Sequence, residues 1–161
     1  RSILILYHGS QKSGLKILSP KIKRSEMKIS GVERIFEKVR KKLNPRLPSR
    51  LSSVYLTPHA SEAWSWAWHE PSRFYEVDAS QIKEAFVGSS ALVDDAGYAD
   101  PEDMAYEYWT TGEYVTDWRE IPKAIRRVER RVKEMYGEDY EPNIEILVPH
   151  PLIPRRRGEK S

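Results

Sequence analysis

Short apolar runs limit what this chain can fold into. Residues 3–7 (ILILY), 53–57 (SVYLT), 73–78 (RFYEVD), 112–116 (GEYVT) and 144–148 (IEILV) each fit one short strand, and a further extended piece at 15–18 ends at Pro20. Segments of helical period lie between them. Ser30-Gly-Val-Glu33 has the form of a capping box, with the Ser side chain accepting from first-turn amides and Glu33 reaching back. The helix it opens puts Val32, Ile35, Phe36, Val39 and Leu43 on one face and Lys and Arg opposite, until Asn44-Pro45 stops it. Thr57-Pro58 reads as an N-cap with proline in the first turn, followed at helical spacing by Ala60, Ala63, Trp64, Ala67 and Trp68. Asp100-Pro101 repeats that device for a helix through about Trp109. Pro122 opens a longer helix with Ile125, Val128, Val132 and Met135 inward and Gly137 at its end. Six or so short strands with interspersed helices in 161 residues predict one α+β domain over 1–161.

The charge is unevenly spread along that domain. A net charge of +3 hides a segment, 21–50, with eleven Lys and Arg against three acids, a balance of +8. Residues 51–120 carry fourteen acids against three basic residues, a balance of −11. A polyanion such as nucleic acid would therefore meet the basic arm at 21–50, although a solvated helix face accounts for the same run. A helix and strand at 122–150 and a basic tail at 151–161 complete the chain.

Several chemistries are excluded at this level. There is no cysteine, which removes disulfides, thiolate catalysis and Cys-based zinc sites, and which fits a cytoplasmic protein. No stretch approaches the ~20 apolar residues of a membrane span, so no membrane partner is expected. His59, His69 and His150 lack metal-ligand spacing and read as surface or capping residues, so no metal is expected. Neither a P-loop nor a GxGxxG stretch is present.

The series YHGS at 7–10, VYLTPHASEAW at 54–64, FYEVDA at 74–79 and YWTTGEYV at 108–115 remains. In that order it resembles the NAD-dependent ADP-ribosyltransferase superfamily, in its diphtheria-toxin-like His–Tyr–Glu branch, and is similar to small antibiotic-modifying members. The resemblance spans about residues 3–122. It implies a split sheet of mixed or antiparallel pairing with flanking helices, NAD as co-substrate, and transfer of ADP-ribose to an acceptor with release of nicotinamide. It also implies that His8 holds a ribose hydroxyl and that the backbone of Gly9 holds the carboxamide, with Ser10 beside them. Tyr55 would stack on nicotinamide, and Thr57 and Trp64 would border the pocket. The resemblance makes Glu113 the carboxylate that grips the ribose and stabilises the sugar cation, with Glu145 in IEILVPHPLIP as its rival.

The chemistry asks for such a set. Cleaving nicotinamide from ribose builds an oxocarbenium-like centre, which needs an aromatic wall, hydrogen bonds to the sugar and a nearby carboxylate. Glycine at position 9 would let a ligand approach the main chain. Each residue also has an ordinary reading: a hydrogen-bonded histidine, a cross-strand tyrosine, core tryptophans, a solvated edge glutamate. Position 111 is Thr where arginine-modifying members place Glu or Gln, and His8 stands where they use Arg, so arginine modification is disfavoured. The arginines with which RNA 2′-phosphotransferases grip phosphate are not evident around HGSQKSG. The acceptor stays open among protein, nucleic acid and small molecule. The alternative is a non-catalytic module that keeps the fold and binds nucleic acid or protein through 21–50.

Overall fold

The computed structural model describes residues 3–20 and 30–155. The first nine residues of the basic arm, 21–29, and the end of the tail, 156–161, lie outside the described residues. The expected α+β organisation is present, and the strand pairs among the described residues are antiparallel. Strand β1 (Ile5–Gly9) pairs with β3 (Phe74–Asp78) in a two-stranded sheet. Strands β2 (Val54–Leu56), β6 (Ile144–Val148), β4 (Ala85–Ser89) and β5 (Glu113–Val115) form a second sheet in the order β2-β6-β4-β5. Tyr7 and Thr57 exchange two backbone hydrogen bonds of 2.9 Å, which joins β1 to β2 and brings the two sheets together at one seam.

Strand β4 is absent from the sequence expectation, yet it lies in the interior of the larger sheet. All five of its residues are buried, so AFVGS shows none of the polar alternation that marks a half-exposed strand. Gly88 is required there, because a side chain would run into the rings of Tyr108 and Phe86. The extended piece at 15–18 makes a single bridge, Leu18 to Leu152, rather than a strand.

Helices cover both faces of the larger sheet. Helix α1 (Gly31–Leu43) starts at Ser30, whose hydroxyl accepts from the Glu33 amide at 3.1 Å. The return half of the capping box is missing, since the Glu33 carboxylate is taken by Arg50. Helix α2 (Ala60–Trp66) begins later than Thr57-Pro58 suggests, with His59 at its N-cap and the Thr57 hydroxyl accepting from the His59 amide. It also ends earlier: Trp68 and His69 follow in left-handed backbone, at φ 56° and 57°, and Trp68 is exposed rather than part of an inner stripe. A short helix α3 (Ser90–Asp95) follows β4 directly. Helix α4 (Pro101–Thr111) is capped by Asp100 as the sequence indicates. Helix α5 (Ile121–Tyr136) buries Ile121, Ala124, Val128 and Val132, leaves Ile125 half-buried and exposes Met135, which the helical period had placed inward.

The registers fix which side chains share a face. Tyr55, Leu147, Phe86 and Tyr114 stand directly opposite one another across β2, β6, β4 and β5, so they point to one side. Helices α1 and α4 lie there, with Tyr108 and Trp109 against Phe86 and the Trp109 indole donating to the Phe36 carbonyl at 2.8 Å. Leu56, Ile146, Val87 and Glu113 point to the other side, where α5 packs on β4 and β5.

Candidate functional site

The seam between the sheets brings together the first two motif residues. His8 lies on β1 on the same side as buried Leu6, and its Nδ1–H donates to the carbonyl of Tyr55 at 2.7 Å. A carbonyl can only accept, so the proton sits on Nδ1 and the ring plane is fixed. The ring of Tyr75, paired with His8 across β3, lies 6.0 Å away. The Tyr75 hydroxyl in turn donates to the Lys12 carbonyl at 2.7 Å and accepts from the Leu15 amide, which holds the loop after β1 over this side.

Gly9 has a structural reason to be glycine. A Cβ there would sit 2.1 Å from the Ala63 carbonyl oxygen and 2.6 Å from the Trp66 Cβ, so α2 packs directly on the main chain. The close approach expected of a ligand is made by a helix. Trp64 therefore lies on the Gly9 side of β1, against Phe74 and His69, and not on the side that carries His8. The Ser10 amide donates to the Arg73 carbonyl at 2.9 Å, and its hydroxyl accepts from the Lys12 amide. Thr57 is fully buried with its hydroxyl on the His59 amide, so it does not border an open pocket.

Tyr55 is part of a cluster that motif reading missed. Its hydroxyl donates to the Arg50 carbonyl at 2.5 Å, and the Arg50 guanidinium lies 5.3 Å from its ring centre. Arg50 is buried and shared: its Nε donates to Glu33 at 2.8 Å, and its Nη1 donates to Glu145 and contacts the Tyr108 hydroxyl. The Tyr108 hydroxyl donates to the same Glu145 oxygen at 2.5 Å. Glu145 is 3% exposed, a buried carboxylate whose Oε2 accepts both bonds. Burial works against the Arg50 charge, but Tyr108, Tyr55 and Glu33 outweigh it and hold the guanidinium pKa above its usual value. Burial pushes the Tyr108 hydroxyl up to about 12 and raises that of Tyr55, with Arg50 pulling both the other way. Both phenols are thus hydrogen-bond donors at neutral pH rather than bases. No signal in NPRLPSR marks Arg50 as the centre of this cluster.

Glu113 is elsewhere. It stands on the α5 side of the larger sheet, the side opposite Tyr55, and on an edge strand with two strands between it and β2. Arg127 grips it with two hydrogen bonds of 2.7 Å, and Arg131 adds an ion pair at 2.9 Å. The Arg127 hydrogen bonds hold its carboxyl below the usual range, against an opposing contribution from burial. The i, i+4 spacing of the two arginines was a readable sign of a shared anion, but nothing in the sequence names the partner. The structure therefore brings the His8 ring to the Tyr55 main chain, keeps Gly9 and Ser10 beside them through the chain and Thr57 beside them through its bridge to Tyr7, and does not bring Trp64 or Glu113 to them. Among the described residues, no group of three or more His, Asp or Glu could hold a metal ion. No helix among them is long and apolar enough to cross a membrane.

These features define the class: an α+β domain in which a small and a larger antiparallel sheet meet at a histidine–tyrosine seam. Residues 10–121 match the family described as protein of unknown function, DUF2441, and because they make up more than two thirds of the chain, the chain belongs to that family. The matched stretch holds Tyr55 and Glu113 but neither His8 nor Glu145. No curated protein matches the chain.

Proposed function

We propose that the chain binds NAD at the His8–Tyr55 seam and transfers ADP-ribose to an acceptor with release of nicotinamide, on an ADP-ribosyltransferase-like fold. The observation that carries this reading is the 2.7 Å hydrogen bond from the His8 ring to the main-chain carbonyl of Tyr55, which joins two motif positions far apart in sequence whose strands belong to different sheets. Two further observations fit. The His8 ring is fixed by a main-chain acceptor, as a residue that orients a ribose hydroxyl needs to be. The Tyr55 ring is held at its hydroxyl end by Arg50, which suits a stacking wall. NAD would supply the glycosidic bond to be broken, and His8 and Tyr55 would bind and orient it. The test is incubation of the pure protein with NAD and chromatography for free nicotinamide, with His8→Ala as the control. Release that His8→Ala abolishes supports the reading. Absence of both NAD binding by calorimetry and nicotinamide release sinks it.

A second reading, a non-catalytic binding module on the same fold, is favoured by one observation. Both glutamates proposed for the sugar cation are already held by arginines, Glu113 by Arg127 and Arg131 and Glu145 by Arg50. NAD binding without nicotinamide release under any acceptor tested would select it.

A further inference from the structure

Helix α1 sorts its charges by face. Its two acids point inward, each to a buried arginine: Glu33 accepts from Arg50, and Glu37 accepts from Arg40 through both carboxylate oxygens, with the Ser49 hydroxyl added at 2.8 Å. Arg40 is turned inward as well, donating to the carbonyls of Pro45 and Leu47. What remains outside is Arg34, Lys38, Lys41 and Lys42, all exposed, and among the described residues none of them is in an ion pair. The fold has removed the acids that neutralise this segment on paper.

Helix α5 shows the contrast. It is richer in arginine, but Glu113 occupies Arg127 and Arg131, and Glu129 and Glu134 follow Arg126 and Arg130 at the i, i+3 and i, i+4 spacings that put an acid beside each. Among the described residues, α1 is the helix whose outward cations have no outward acid between them. Arg34 to Lys42 covers about 12 Å of helix axis at ~1.5 Å per residue. One strand of a nucleic-acid duplex offers a phosphate every ~3.4 Å, hence about four over that length, against four cations. A lipid surface fits less well, because Val32, Ile35, Phe36 and Val39 face the core and leave no apolar row outward to insert.

We infer that the outer face of α1 is a nucleic-acid-docking surface on which Arg34, Lys38, Lys41 and Lys42 contact the phosphates of one strand without reading bases. It gives the binding module of the second reading a partner and stands apart from the NAD reading. Docking of this kind is electrostatic and follows counter-ion release.

The experiment is fluorescence anisotropy with a labelled duplex and a labelled single strand over a range of salt, without NAD. Four contacts predict a log–log salt slope of about −3.6 for the duplex and about −2.8 for the single strand. The pair Lys38→Glu and Lys41→Glu should abolish binding. The milder pair Lys41→Gln and Lys42→Gln should flatten the duplex slope by about 1.8. Arg126→Glu with Arg130→Glu on α5 should leave both unchanged, and circular dichroism checks that each variant is folded. The inference is overturned if no oligonucleotide binds at low salt, or if the α5 pair loses as much as the α1 pair. Binding of phosphatidylserine vesicles or polyglutamate as tightly as the oligonucleotides overturns it too. None of these outcomes depends on whether NAD is turned over.

Discussion

The Nδ1–H of His8 is bonded to the carbonyl of Tyr55 at 2.7 Å, so the first strand of the small sheet and the edge strand of the large one share a side-chain contact beside their backbone bridge. The bond fixes the imidazole but leaves the Tyr55 side chain to a different partner, Arg50. The ring and the hydroxyl of Tyr55 therefore have separable roles.

Tyr55→Phe removes one hydrogen bond to a carbonyl and keeps the ring, whereas Tyr55→Ala removes the proposed stacking wall. Offset stacking is worth ~1 kcal/mol beyond burial, so Tyr55→Ala should weaken NAD binding about fivefold or more, and Tyr55→Phe by less than about half that factor. Isothermal titration measures both. Equal losses would show that the hydroxyl, and not the ring, matters.

For Glu113 the position in the fold argues against the role the resemblance implies. Glu113→Gln should leave nicotinamide release within a few-fold of wild type, and a loss of ~100-fold would return it to the reacting centre. Its effect on stability is separate. The carboxyl pKa is depressed in the folded state by Arg127, so its contribution is present above the usual glutamate value of 4.5 and is lost as pH falls below it through the folded value. The stability gap between wild type and Glu113→Gln should be open at pH 7 and close in acid. Urea titrations at several pH values read this directly, and a gap that widens in acid has the wrong sign.

Gly9→Ala places a methyl group against the Ala63 carbonyl and the Trp66 side chain, both belonging to α2. Overpacking of this kind costs about 1–3 kcal/mol, and here the obstacle is partly main chain. Thermal unfolding should show a clear loss without any ligand present. A variant as stable as wild type would return Gly9 to a purely ligand-binding role.

Arg50→Ala leaves Glu33, Glu145 and the Tyr108 hydroxyl around a vacated cation. Removing one partner of a buried pair costs about 3–5 kcal/mol, more than an exposed pair is worth. The variant should unfold far earlier in denaturant, and Glu145→Gln should be visibly destabilised as well. If both unfold like wild type, the cluster does not hold α1, β6 and α4 together.

Most element positions follow from local signals. Ser30, Asp100-Pro101 and Gly137 mark helix ends through chemistry confined to one turn, and ILILY or IEILV needs only its own composition to be a strand. Strand β4 was not legible because it is buried on both faces and so has no period, and Gly88 and Ser89 break the apolar run that makes the equally buried β6 readable. Thr57-Pro58 misplaced a helix start because the same hydroxyl can cap a turn ahead of the helix.

The sequence by itself determined the α+β class, the charge imbalance of the first third and the placing of His8 and Tyr55 on strands. Only the tertiary structure decided which of the candidate residues meet. Strand pairing set Tyr55 and Glu113 on opposite sides of one sheet, since a shift of one position in a strand reverses the face. Long-range packing put α2 on Gly9 and turned both acids of α1 inward to arginines, which no local pattern encodes. Face and partner are properties of the assembled sheets, because they depend on residues tens of positions apart arriving at the same place.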